Sequence, residues 1–160
     1  MCISGINELG NAKGTYVLIL RLKDQIRVRA GSLGLINLQA GYYAYVGSAK
    51  GGLRARVGRH LKLALLKEGR LRWHIDYLLT DSNTTIHSIV YVKEAFIEHE
   101  LARALARSSD VEAAVLGFGS TDCNCPTHLF KLNNEKDPEG PVSSVIRSMG
   151  HMANVVLCSP

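Results

Sequence analysis

The chain predicts an α/β domain of the α+β type, a central antiparallel sheet flanked by helices. Three observations predict it. Aliphatic, β-branched and aromatic runs broken by Gly and Asp fill residues 15–46. An apolar stripe at Leu53, Val57, Leu61 and Leu65 follows, four residues apart as in a helix. Strand and helix patterns then alternate as far as Phe130.

Residues 15–22 form a largely buried strand, and Asp24-Gln25 a tight turn. Ile26-Arg27-Val28-Arg29 alternates apolar and charged residues, as a half-exposed strand does. Strands at Leu33–Leu38 and Tyr42–Val46 complete an antiparallel meander. The helix from Leu53 stops at Gly69, with Arg56, Arg59, His60 and Lys67 off its apolar stripe. A short helix covers Trp73–Leu79 and a strand Ile86–Val92. A helix over Phe96–Arg107 turns Ile97, Leu101, Ala104 and Leu105 inward, and Val111–Phe118 adds a further strand. Residues 1–13 read as an N-terminal extension and 14–131 as the domain. Residues 132–160, poor in pattern, read as an appendage to it, open to being disordered.

A length of 160 residues suits one domain with its own core, and 46% hydrophobic content argues against a disordered chain. The net charge of +5 favours an anionic partner without locating a site. Arg54, Arg56, Arg59, Lys62, Lys67, Arg70 and Arg72 concentrate that charge in one stretch. No apolar run is long enough to span a bilayer, and the first residues lack a secretory layout. A cytoplasmic protein with no membrane partner is expected, its four cysteines mostly reduced.

Three segments carry candidate chemistry. Gly14-Thr15-Tyr16 opens a strand, Tyr45-Val46-Gly47-Ser48-Ala49 closes a later one, and Arg56 and His60 share a helix face. Strand-borne phenols can accept or donate a proton, and a fixed guanidinium suits a phosphate. His60 could hold a tyrosine or a water. Phosphodiester hydrolysis needs such parts and usually a divalent metal with an oxygen ligand. Glu98, beside the apolar stripe of the third helix, is preferred over Glu100 as that ligand.

In this order, Gly-x-Tyr, Tyr-Val-Gly-Ser, Arg-x-x-x-His and a helix-borne Glu resemble the GIY-YIG nuclease superfamily. The closer resemblance is to its DUF123 branch. It is carried by 41–49, by Trp73-His74-Ile75-Asp76-Tyr77-Leu78, by Glu98-His99-Glu100-Leu101-Ala102, by 117–125 and by His128-Leu129-Phe130. The resemblance covers residues 14–131. It implies a metal-dependent endonuclease acting on DNA, perceived through Tyr16 and Tyr45 as the motif tyrosines, one of them activating water. Arg56 is the implied catalytic arginine, His60 the helix position often held by His or Tyr, and Glu98 the ligand of one Mg²⁺ or Mn²⁺. A role in DNA repair with a repair-protein partner is consistent with it. Thr15 and Val46 stand where the superfamily has isoleucine, and the interval between the tyrosines is longer than usual.

Other readings stay open. Arg54, Arg59 and Lys62 suit nucleic-acid contacts or plain solvation. His74 and Asp76 fit a second polar cluster or buried structural roles. Cys123, Cys125 and His128 are Zn²⁺-type ligands at tight spacing, with His74, Asp76 or Asp122 as a fourth; the alternative is a pair of buried thiols. The competing functions are a catalytically inactive DNA-binding module and a zinc-binding structural protein.

Overall fold

The computed structural model describes residues 5–121 and 123–158. Cys2 and Asp122 lie outside them. Strand β1 (Gly14–Leu22) alternates its side chains between two cores, because successive residues of a strand face opposite sides. Tyr16, Leu18, Leu20 and Leu22 enter one core, Val17 and Ile19 the other. Covered on both faces, β1 forms the middle of the sheet. It pairs antiparallel with β4 (Gly41–Ala49) and with β5 (Thr84–Lys93).

The strands between them behave differently from the expected meander. β2 (Ile26–Arg29) and β3 (Leu35–Leu38) pair only with each other, as a separate two-stranded ribbon. Ile26, Ile36 and Leu38 turn one face of that ribbon onto the core. The long interval between the two tyrosines is therefore a side ribbon, and β1 meets β4 directly, with Tyr16 opposite Gly47.

Helix α1 (Leu53–Leu66) buries Leu53, Val57, His60 and Leu63. The expected stripe of fourth residues is corrected at its end, since Leu65 is 50% exposed. Each four-residue step overshoots a turn by about 40°, so a strict fourfold series winds off the face. The inner face follows three- and four-residue steps, and His60 belongs to it. Helix α2 (His74–Leu79) packs Ile75, Leu78 and Leu79 into the same core. Helix α3 (Glu98–Ala106) lies across the other face with Leu101, Ala102 and Leu105 buried, and Ala104 outside that set. Beyond it, β6 (Val111–Ala113) pairs with β7 (Leu129–Leu132), which pairs with β4. The predicted strand to Phe118 ends early, because residues 114–121 turn away from the sheet.

The terminal segments are not accessory. A 3₁₀ turn at Gly5–Leu9 buries Leu9 in the first core. Helix α4 (Gly140–Ser148) buries Val142 and Ile146 in the second core. Strand β8 (Asn154–Leu157) joins β5, giving the six-stranded order β6-β7-β4-β1-β5-β8. The reading of 132–160 as an appendage is thus corrected. Its apolar residues follow no clear period, but Ser88 donates a hydrogen bond to Glu139 at 2.7 Å and the backbone completes the sheet edge. Among the described residues Cys158 is disulfide-bonded, whereas Cys123 and Cys125 are free thiols, so the expected reduced state holds for those two and not for Cys158. No helix among the described residues is long and apolar enough to cross a membrane.

Truncating Ile146 tests the integration of the tail. Ile146→Ala should cost about 2–5 kcal/mol, the range for deleting a buried aliphatic side chain, and lower the urea midpoint. An unchanged midpoint would mean that α4 does not support the fold.

Candidate active site

The sheet register builds the site. Directly paired residues share a sheet face, so Tyr16, Tyr45 and Gly47 all face α1. A side chain at position 47 would collide with the Tyr16 ring. Glycine there lets the Tyr16 phenol lie across β4 toward the helix. Its hydroxyl meets His60 Nε2 at 2.7 Å, within the core. Tyr45 packs edge-on against His60 and Phe118.

Thr15, one residue before Tyr16, faces the opposite way. Its hydroxyl donates to Ala95 O at 2.8 Å and accepts from Ile97 N at 2.9 Å. That double bond fixes the backbone just before α3 and so positions Glu98. Threonine at this position therefore has a structural use that its β-branched shape alone does not reveal.

A pocket of about 440 Å³ collects these groups, with Tyr16, Tyr45, Arg56 and Glu98 all in its lining. Arg56 Cζ lies 4.4 Å from the centre of the Trp73 ring, a cation–π contact that orients the guanidinium. Lys50 and Arg72 add positive charge to the rim. His74 accepts a hydrogen bond from Gly119 N on Nδ1 at 2.9 Å. In the neutral ring its proton is then on Nε2, as a donor beside the pocket.

Other sequence candidates are occupied elsewhere. Arg59 forms a two-point pair with Asp76, at 2.9 and 2.8 Å. The Asp76 carboxylate also accepts from Arg72 N and Trp73 N, capping α2. Burial works to raise the Asp76 carboxyl, but Arg59 and these two backbone amides together hold it below the ordinary value. Asp76 and Arg59 are a structural pair, and Arg59 is not available as a free nucleic-acid contact. Arg54 and Lys62 are exposed on α1, outside the pocket lining. Trp73 is 37% exposed and lines the pocket.

The cysteine segment divides. His128 is fully buried, with Nε2 3.4 Å from Cys123 Sγ and Nδ1 3.1 Å from Glu98 Oε1. The second approach is close but not aligned as a hydrogen bond. Cys125 instead donates its thiol to His99 O at 3.8 Å, and burial, with Cys123 beside it, pushes that thiol up to about 12. His74 bonds Gly119 N and Asp76 pairs with Arg59, so neither joins the cysteines. The residue missed in the sequence is His99, whose ring nitrogen joins Cys123 and His128 within 4.8 Å. Its only sequence signal was its place beside Glu98.

Burial governs the titration of the pocket. It raises Tyr16, an effect that Arg56 opposes and Glu98 reinforces. Tyr45 is pushed well up by burial, then by Tyr16, Glu98 and Asp76. Both are neutral phenols at neutral pH. His60 is lowered to about 3 by burial, with Asp76 opposing and Arg59 and Arg56 adding. It is therefore a neutral imidazole. Among the described residues its buried Nδ1 has no hydrogen-bond partner that fixes the tautomer. The Tyr16–His60 hydrogen bond can run in either direction.

The fold and the pocket define an α+β domain with a six-stranded antiparallel sheet and a cleft of tyrosine, arginine and carboxylate groups. The family model for a domain of unknown function, DUF123, matches residues 15–151, and the chain belongs to that family. The match takes in α4, in keeping with its packing on the second core. No curated protein and no solved structure matches the chain.

Two outcomes test this geometry. Unfolded, His60 takes up a proton near pH 6.5; folded, only near 3. Between these values the unfolded chain holds the extra proton. Stability should therefore fall as the pH drops below 6.5, by about 1.4 kcal/mol per pH unit. Urea titrations of wild type and His60→Gln between neutral pH and about pH 5 should diverge, the variant losing less stability; parallel curves would contradict a buried neutral His60. Gly47→Ala should displace the Tyr16 phenol, read as a changed near-ultraviolet circular dichroism of the tyrosines, with the far-ultraviolet spectrum kept. An unaltered tyrosine signal would mean that the β4 surface has room for a side chain.

Proposed function

We propose that this chain is a divalent-metal-dependent endonuclease of the GIY-YIG type, hydrolysing phosphodiester bonds in DNA. The observation that carries the reading is the meeting of Tyr16, Tyr45, Arg56 and Glu98 in one pocket, with His60 bonded behind Tyr16. Four motifs far apart in the chain thereby supply the separate parts that this chemistry needs.

Glu98 suits the metal. It is half-buried at the pocket wall, and no hydrogen bond to its Oε2 occurs among the described residues. One carboxylate oxygen, completed by water and substrate phosphate oxygens, is a donor set typical of Mg²⁺ or Mn²⁺ at phosphate sites. When bound there, such an ion would polarise the phosphate and offset its developing negative charge.

The chain's own groups do the rest. Lys50 and Arg72 attract the phosphate backbone to the rim. Arg56, held flat by Trp73, stabilises the charge on the non-bridging oxygens. The attacking water is held at the Tyr16 hydroxyl, which takes its proton while passing its own to His60 Nε2. At a pKa of about 3, His60 is a weak acceptor in the free protein. A bound phosphodiester brings negative charge next to it and raises its proton affinity. Tyr45, kept neutral, orients the water or the phosphate by hydrogen bonding.

A specific observation also supports a second reading, binding without cleavage. Three cations, Lys50, Arg56 and Arg72, already border the pocket and would hold DNA on their own.

Cleavage of a labelled panel separates the two. It comprises duplex, flap, junction, abasic and single-stranded DNA and RNA, each with Mg²⁺ or Mn²⁺. Wild type should cleave at least one DNA, and Arg56→Ala or Glu98→Ala, still folded, should each lose about 100-fold or more. Full activity in either variant sinks these roles. Salt-sensitive binding without turnover in wild type would favour the binding module.

A further inference from the structure

On the far side of Glu98 from the phenols lies a cluster that the proposed hydrolysis does not use. His99 follows Glu98 on α3, while Cys123 and His128 come from the segment that leads into β7. One ligand atom from each lies within 4.8 Å of the others. The geometry points to a zinc site held by His99, Cys123 and His128, with Glu98 orienting His128 from behind.

The distances fit this class of ion. Zinc bonds of about 2.0–2.1 Å to nitrogen and 2.3 Å to sulfur place neighbouring ligands of a tetrahedron about 3.5 Å apart. Cys123 Sγ and His128 Nε2 are already 3.4 Å apart. His99 is partly exposed, its ring tilted against that of His128 with centroids 5.9 Å apart, and binding would draw its ring nitrogen in from within 4.8 Å of the other two ligand atoms. Thiolate and imidazole together select zinc over the hard cations that carboxylates take.

The surroundings fit as well. A zinc-bound histidine commonly turns its other ring nitrogen to a carboxylate, and here that nitrogen lies 3.1 Å from Glu98 Oε1. A proton on Nδ1, facing that carboxylate, would leave Nε2 toward Cys123 as the ligand atom. His128 cannot swing away, since its N donates to Phe118 O at 2.8 Å and its carbonyl accepts from Val46 N at 2.9 Å. The Cys125 amide points at Cys123 Sγ from 3.3 Å, as donors do toward a metal-bound thiolate. Thiolate and Glu98 would balance the two positive charges of the ion. Cys125 Sγ is turned to His99 O, so the fourth position falls to water.

Such an ion would tie the loop that carries Gly119 and Thr121 to the helix that carries Glu98, fixing one wall of the pocket. The inference does not depend on what the pocket cleaves, and its test needs no activity.

The test is elemental analysis of untagged protein purified without chelators, followed by Co²⁺ titration of the metal-free form. Wild type should carry one zinc per chain and, with Co²⁺, show a thiolate-to-metal absorption band. Cys125→Ser should keep both, and Cys123→Ser should lose the band. Glu98→Gln should bind zinc about 10–100-fold more weakly. Wild type with neither stoichiometric zinc nor the Co²⁺ band overturns the site, whatever the variants do. So does a band retained in Cys123→Ser. Rapid alkylation of Cys123 by iodoacetamide in zinc-supplemented wild type would overturn it too, showing a thiolate–imidazole pair instead of a ligand set.

Discussion

The pocket depends on a single buried hydrogen bond, the 2.7 Å contact of Tyr16 with His60. It joins the central strand to α1, and both partners are almost wholly removed from water. A buried polar pair of this kind is worthwhile only if each partner satisfies the other, since an unpaired hydroxyl or imidazole there would cost about 1–3 kcal/mol. The bond fixes the phenol, and through α1 it also fixes the turn on which Arg56 sits. It requires Gly47 opposite Tyr16, because the space a side chain would take is the space the ring fills.

Thr15 and Tyr16 together explain how one strand serves both faces of the sheet. Tyr16 reaches toward α1, while Thr15 reaches through to the backbone before α3. Two adjacent residues thus position the phenol from one side and Glu98 from the other. Glu98 in turn lies against His128, so the pocket and the cysteine–histidine cluster share a wall. A change at one should be felt at the other through that carboxylate.

Much of this was legible in the sequence because it is local. A β-branched and aliphatic run located β1, period-two alternation located β2, and apolar spacing located α1 and α3. The motif order singled out Tyr16, Tyr45, Arg56, His60 and Glu98, which the structure gathers around one pocket. What was not legible is what depends on partners distant in the chain. The separation of β2 and β3 from the main sheet follows from β1 pairing with β4, which no local pattern encodes. The tail reads as weak because α4 and β8 draw their stability from α3, β5 and Glu139 rather than from their own composition. Arg59 looked like its basic neighbours, and only the fold brings Asp76 to it. His99 was hidden for the same reason, since its companions lie across a loop. Trp73 looked apolar, but two guanidinium groups, of Arg56 and Arg59, lie over its ring.

Trp73 also makes the central claim, that this pocket receives a phosphodiester, directly measurable. It is the sole tryptophan of the chain and lines the pocket against Arg56. Its emission, followed while DNA is added in the presence of a chelator to prevent cleavage, reports occupancy without turnover. The account predicts a saturable change that weakens with salt and disappears in Arg56→Ala. DNA that binds by gel shift while Trp73 emission stays constant would place the phosphodiester elsewhere on the protein and contradict it.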